Sequence, residues 1–314
     1  LKRKIENEFG VTCDYIMADL SSKEDVHRLA EQLLALQQPI DVFIQNAGVF
    51  LTKQELTTEG TDKVFMVQHL SSFMLNVLLA EKLKSQERAR VILVNSEGHR
   101  FAAWGLKLDD LNWERRRYSG MKSYGSAKLA QLLTMHVFNG IFAGSGVTIN
   151  AMHPGAVKSD TGQENGRFYR WYKKNILDPA LRPTEISAEA LYYLGVSPEM
   201  KNISGNFFNL TTLETPAPPA LDVEAAHEIW GKSLEMTGLQ NLAGKLRDYK
   251  TDKAESTTDK AKISKGAADG NAEVTSGELQ MAKDAARSKT KTASNGSAEG
   301  VDSYQSEHQQ RKPG

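Results

Sequence analysis

Arg90-Val91-Ile92-Leu93-Val94-Asn95-Ser96, followed after one long stretch by Tyr124-Gly125-Ser126-Ala127-Lys128, is the part of this 314-residue sequence from which the fold can be read. Val91 to Val94 is an unbroken apolar run, the pattern of a parallel strand covered on both faces, and Asn95-Ser96 ends it. Open α/β sheets place ligands at the carboxyl ends of their strands, so Ser96 stands where a site forms. Tyr124 opens a segment whose Leu129, Leu132, Leu133 and Val137 recur at helical spacing. A tyrosine and a lysine at i and i+4 share one helix face, so both side chains can enter one site. A phenol is ordinarily too weak an acid to exchange a proton near neutrality, and an adjacent fixed cation favours its ionised form. A serine hydroxyl beside the pair can hold a carbonyl oxygen within reach of that proton. This is the chemistry of an alcohol and a carbonyl, and it still needs a hydride carrier.

Toward the amino terminus, Asp41-Val42-Phe43-Ile44 is a second short buried strand, delivering Gln45-Asn46-Ala47-Gly48. Small residues after a strand let the backbone approach a nucleotide closely. Thr61 to Lys84 reads as one long helix with Val64, Phe65, Val67, Leu70, Leu75, Leu78 and Leu79 largely on its buried side; it contains Gln68 and a His69 read as packing. Ile16-Met17-Ala18 reads as a strand ending at Asp19-Leu20, and Ser22 and Asp25 then have capping-box spacing at a helix start. Val26, Leu29, Ala30, Leu33 and Leu34 form that helix's core stripe. Toward the carboxyl terminus, Val147 to Met152 is a strand leading into the tight turn His153-Pro154-Gly155-Ala156-Val157-Lys158-Ser159. Glu185 to Leu194 reads as a helix, Asn206 to Asn209 as the last strand, and Val223 to Met236 as a closing helix.

Taken together, Ser96, Tyr124-x-x-x-Lys128, Asp19-Leu20, Asn46-Ala47-Gly48 and His153-Pro154-Gly155-Ala156-Val157 resemble a short-chain dehydrogenase/reductase, in the family's order, over roughly residues 1 to 240. Asn95-Ser96-Glu97-Gly98-His99-Arg100-Phe101 and Gly205-Asn206-Phe207-Phe208 resemble its retinol dehydrogenase and WW-domain oxidoreductase branch, which is similar to light-dependent protochlorophyllide reductases as well. The resemblance implies a Rossmann-like α/β fold with a doubly wound parallel sheet, and NADP or NAD as cofactor with NADP the preferred form. It implies that Tyr124 exchanges the proton, that Lys128 lowers the tyrosine pKa and holds the nicotinamide ribose, and that Ser96 orients the carbonyl. Gln68 falls where many relatives carry an asparagine of the proton relay; its amide sits on a longer stem. Asp19 and Leu20 would meet the adenine, although a carboxylate at a helix start is favourable without any ligand. Asn46, Ala47 and Gly48 would line the adenine ribose. Pro154, Gly155, Val157 and Ser159 would grip the nicotinamide carboxamide, and Asp160 to Leu181 would form a substrate lid. The implied substrate is a small molecule, a lipophilic alcohol, aldehyde or ketone. The competing expectation is a cofactor-binding or scaffolding protein derived from such an enzyme.

The resemblance also implies a strand-turn-helix-strand unit ahead of Val11, with a Thr-Gly-x-x-x-Gly-x-Gly loop for the cofactor pyrophosphate. The 314 residues do not contain it, so the expectation is an incomplete sequence of a longer protein. Gly140 to Gly146 precedes a strand instead of opening a helix and reads as a surface turn. Acidic and basic residues number 39 each, which gives no whole-chain field to attract nucleic acid or an anionic membrane. The lone Cys13 closes no intramolecular disulfide. No apolar run reads as a membrane span, so the chain is expected in the cytoplasm, or at a membrane if an amino-terminal anchor is missing. Between the serine and the tyrosine, Trp104 lines a cleft or covers the core, and Arg115-Arg116-Arg117 attract an anion or are simply solvated. The expected organisation is a dehydrogenase domain over residues 1–243 and a disordered tail over 244–314, too poor in large apolar residues to offset its ordering entropy.

Overall fold

Strand β2 (Ala89–Val94) runs through the sheet, with β1 (Val42–Gln45) on one side and β3 (Val147–His153), β4 (Phe207–Asn209) and β5 (Thr212–Leu213) following on the other. The computed structural model describes residues 2–156, 165–166, 181, 183–243 and 246. Strands β1 to β4 pair in parallel, and β5 turns back antiparallel on β4. The helices among the described residues are α1 (Lys2–Phe9), α2 (Lys23–Leu34), α3 (Lys63–Lys84), α4 (Gly120–Phe142), α5 (Glu185–Val196), α6 (Val223–Thr237) and α7 (Gln240–Ala243).

Alternation along β2 explains its unbroken apolar run. Val91 and Leu93 face one layer, where Ile149, Ala151 and Phe207 join them against residues of α3, α4 and α6. Ile92 and Val94 face the other, packing with Met152, Phe208 and the α5 residues Ala190 and Leu194. Both faces of a doubly wound sheet are dry, so neither needs a polar residue. The same enclosure makes α3 and α4 apolar nearly all round. By length and composition alone α3 is apolar enough to cross a membrane, but 89% of its apolar window is buried inside the fold, as in a core helix.

Local chemistry sets the helix starts. Ser22 Oγ accepts the Asp25 N–H at 3.2 Å and caps α2. Asp62 caps α3 by accepting the Phe65 N–H at 2.9 Å, and the same oxygen takes the Ser123 hydroxyl at 2.9 Å. That shared carboxylate ties the first turns of α3 and α4 together, and α4 begins at Gly120, ahead of the tyrosine. His69 lies in the core between the rings of Phe65 and Phe73, its Nε2 2.8 Å from Ser233 Oγ; burial pushes its pKa down to about 3, so it is a neutral packing residue.

Two expectations are corrected. Ile16 to Ala18 forms no strand: residues 10–19 run without regular structure, and Met17 is 82% exposed. A strand is stable only when a neighbour takes up its backbone groups, and β1, the nearest strand in sequence, pairs with β2 alone among the described residues. Arg116 is not simply solvated either. Its guanidinium lies 4.2 Å from the centroid of the buried Trp113 ring and its Nε 2.8 Å from Asp110 Oδ2. The expected substrate lid, Val157, Ser159 and the expected tail over 244–314 lie outside the described residues, apart from Asn165, Gly166 and Leu181 within the lid and Leu246 within the tail, which is buried in the core.

Candidate active site

Ser96 follows the carboxyl end of β2 and begins a 3-10 turn, Glu97–Ala102, whose Gly98 N–H donates to Ser96 Oγ at 3.0 Å. That turn lies against α4. A β-carbon built on Gly98 would stand 2.5 Å from Tyr124 Cε1 and 3.3 Å from Ser96 Oγ. The absence of a side chain there is what lets the tyrosine ring pass close to Ser96. Lys128, one turn further along α4, places Nζ 5.9 Å from the Tyr124 ring centroid. The structure therefore brings Ser96, Tyr124 and Lys128 together. We expect Gly98→Val to push the ring aside and lower kcat by about tenfold or more, because ångström-scale misplacement of a reacting group costs that much; unchanged kcat in a folded variant would show that the ring has room.

The electrostatics depart from the simple expectation that Lys128 lowers the tyrosine pKa. Burial pushes Tyr124 above its ordinary value near 10, with the Ser96 hydrogen bond acting in the opposite direction. Lys128 is itself buried, and burial brings its pKa down to about 7. Its ammonium donates to the Val94 carbonyl at 2.7 Å, so the cation that would favour a phenolate is turned toward the strand and half neutralised at pH 7.

A buried amide network that sequence reading missed holds the trio. Asn95 Oδ1 accepts the Ser96 N–H at 2.8 Å, while Asn95 Nδ2 donates to the Lys128 carbonyl and to Gln131 Oε1, both at 2.9 Å. His99 Nδ1 lies 2.7 Å from the Ser96 carbonyl, and its Nε2 accepts the Ala217 N–H at 3.0 Å. These contacts fix His99 as the Nδ1–H tautomer. The available signals were a polar residue directly following an apolar strand and a glutamine three residues past the lysine, on the same helix face.

Gln68 lies in a π-helical turn at Met66–Leu70 of α3. Its hydrogen bonds go to the loop after β1 and to Gln131: Nε2 donates to the Val49 carbonyl at 2.7 Å, and its backbone carbonyl accepts Gln131 Nε2 at 3.3 Å. Gly48 packs on this amide, since a β-carbon there would stand 2.8 Å from Gln68 Oε1. The small residue at 48 thus makes room for a side chain of the protein itself, where close approach to a nucleotide was the expectation.

The remaining expected cofactor residues are spread along the carboxyl edge of the sheet. Asn46 and Ala47 are exposed just past β1. Pro154 follows β3 and its carbonyl accepts the Ser187 hydroxyl; Gly155 adopts a φ of +80°, which its lack of a side chain permits. Asp19 is engaged locally, accepting the Ser21 N–H at 2.8 Å and the Ser21 hydroxyl at 2.7 Å, and Leu20 packs on the core. For a nicotinamide dinucleotide the decisive observation is Lys128. An ammonium has three donors; only one has an acceptor among the described residues, although the side chain is almost wholly buried. Two unfilled buried donors beside two hydroxyls suit the ribose of such a group, and the residues present fit it.

This is a doubly wound oxidoreductase fold with hydroxyl, phenol and amine gathered at one strand end. The short chain dehydrogenase family model matches residues 1–105. Human retinol dehydrogenase 13 is 33% identical over 226 residues, 71% of this chain and 68% of that protein. WW domain-containing oxidoreductase of Danio rerio is 32% identical over 221 residues, 68% of this chain and 52% of that protein. A solved structure of an uncharacterised protein from Mycobacterium paratuberculosis superposes with a TM-score of 0.56 at 25% identity, covering 76% of this chain and 81% of that one. The chain belongs to the short-chain dehydrogenase family, in its retinol dehydrogenase-like branch. It is an NAD(P)-dependent oxidoreductase acting on CH–OH groups, with a small-molecule substrate.

Proposed function

We propose that residues 1–243 carry an enzyme that interconverts a lipophilic alcohol and its aldehyde or ketone, with the Tyr124 phenol as the proton-exchanging group. The relatives named retinol dehydrogenase 13 and 14 support an isoprenoid-type alcohol as the substrate class. The bound dinucleotide supplies or removes the hydride. Ser96 Oγ donates to the carbonyl oxygen and fixes its distance from Tyr124. In reduction Tyr124 gives that oxygen its hydroxyl proton; in oxidation it takes the proton back. Lys128 turns its unfilled donors to the ribose hydroxyls, and Asn95 holds Ser96 in register with α4. Pro154, Gly155, Val157 and Ser159 hold the nicotinamide end, while Asn46, Ala47 and Asp19 hold the adenosine end. Gln68 supports the loop behind Gly48 more than it relays protons.

The observation that carries this reading is the gathering of Ser96 and Tyr124 around Gly98, beside the buried amine of Lys128. A phenol held above its usual pKa keeps its proton at neutrality, which suits it to reduction. The test is spectrophotometric hydride transfer with retinaldehyde and NADPH or NADH, and with retinol and the oxidised forms. In reduction the phenol stays protonated from pH 6 to 8, so any change of rate in that window reports Lys128 and not Tyr124. Oxidation needs the phenolate, whose fraction climbs about tenfold per pH unit below the pKa, so its rate rises toward alkaline pH. Absence of hydride transfer in both directions ends the proposal.

A further inference from the structure

The loop after β1 is held by side chains from three distant parts of the chain. Gln68 Nε2 donates to the Val49 carbonyl at 2.7 Å, Asn165 Nδ2 to the Phe50 carbonyl at 2.6 Å, and the Tyr118 hydroxyl to the Leu51 carbonyl at 3.1 Å. Thr52 then donates its N–H, at 2.6 Å, and its hydroxyl, at 2.8 Å, to Asn165 Oδ1. Three successive carbonyls and the next amide therefore find partners outside any strand or helix. Asn165 does most of this: one buried carboxamide, 6% exposed, fills the Phe50 acceptor and both Thr52 donors. A carboxamide offers the donor and acceptor of a backbone peptide side by side, so it can stand in for the strand that this loop does not have.

Sheet order gives the contact a direction. Phe50 follows β1 and Asn165 follows β3, while β2, which ends at the site serine, lies between them. The hydrogen bonds thus join the loop after β1 to a residue of the segment after β3. The Phe50 ring meets Tyr124 edge-on, with centroids 5.9 Å apart and planes at 70°. The phenol ring thus contacts both the Phe50 ring and the backbone at Gly98.

We propose that Asn165 is a positioning residue: by holding Phe50 to Thr52 it sets the Phe50 ring against Tyr124 and so aims the phenol at the reacting oxygen. This rests on the role given to Tyr124 above. Among the described residues the hydrogen bonds of Asn165 go to Phe50 and Thr52, so its action on Tyr124 runs through Phe50 and should vanish when Phe50 no longer packs there.

The experiment uses the full chain as wild type, Asn165→Ala, Asn165→Asp, Phe50→Leu and the Asn165→Ala/Phe50→Leu double variant. Amide hydrogen exchange at Thr52 reads the hold on the loop directly. It should quicken about tenfold or more in Asn165→Ala, with little change in Asn165→Asp, which keeps the acceptor. Turnover should fall about tenfold in both Asn165 variants, since both lose the donor to Phe50, with KM for the dinucleotide unchanged. In the double variant the two effects should not add, because they share one route. Unaltered Thr52 exchange, an effect on KM alone, or additive losses would each overturn the proposal. If the wild-type chain transfers no hydride, the proposed function falls, and the hold on the loop is decided by Thr52 exchange alone.

Discussion

Tyr124→Phe should lose about two to four orders of magnitude in turnover in both directions, the usual worth of a positioned proton donor. The change deletes one oxygen and nothing else. The ring keeps its edge-on contact with Phe50 and its fit against Gly98, so the substrate and dinucleotide sites keep their shape. The loss is confined to the phenol's polar contact with the neighbouring Ser96, so the cost in stability is small, about 1 kcal/mol or less. The result should therefore be a folded protein that binds dinucleotide with near wild-type affinity and turns over almost nothing. Equal kcat in both proteins would remove the phenol from the mechanism, whatever the substrate proves to be.

Lys128→Met should cut activity and raise stability, with the second effect reversing with pH. The folded chain holds this amine at a pKa of about 7, against 10.5 in the open. Below pH 7 the lysine is charged in both folded and unfolded chains, and the folded state carries the full penalty of a buried charge, on the order of a few kcal/mol. Between pH 7 and 10.5 the unfolded chain binds the extra proton, so wild-type stability climbs with pH and the penalty disappears at the top of that window. Methionine has no charge to bury, yet it leaves the Val94 carbonyl without this donor, a loss of about 1–3 kcal/mol. The variant should accordingly outlast wild type in urea at pH 6 and fall behind it at pH 10, while its kcat drops about a hundredfold. A variant less stable than wild type at both pH values would mean that the amine is not buried as described. The paired outcome fits a family site in which stability is given up to keep an amine dry and two of its donors unfilled.

The strands and helices around the site were legible because enclosure leaves a plain mark: Val91 to Val94 and α4 are apolar wherever they are covered, and covered almost everywhere. Ser96, Tyr124 and Lys128 could be placed together from one strand end and one helix face. Ile16 to Ala18 could not be judged, because whether an apolar run becomes a strand depends on a neighbour that its own letters do not specify. The positions of Asn95, Gln131 and Asn165 were hidden for a related reason. An amide carries no periodicity, and its value lies in which carbonyls it meets across long sequence distances. Gly48 had the opposite fault of saying too much: a missing side chain signals close approach, but only coordinates reveal that the visitor is Gln68, as they reveal Tyr124 against Gly98.

Trp104 is 90% exposed, so it covers no core. Trp230 is held in an aromatic nest with Phe73 and Phe138, at centroid distances of 5.0 and 4.8 Å. These two indoles give the molecule a built-in pair of optical labels. One stands in water in the folded chain, and the other leaves its ring contacts when α6 parts from α3 and α4. A red shift on denaturation thus draws on Trp230 and on Trp113, which is 5% exposed, while Trp104 reports on whatever approaches the surface beside the turn Glu97–Ala102.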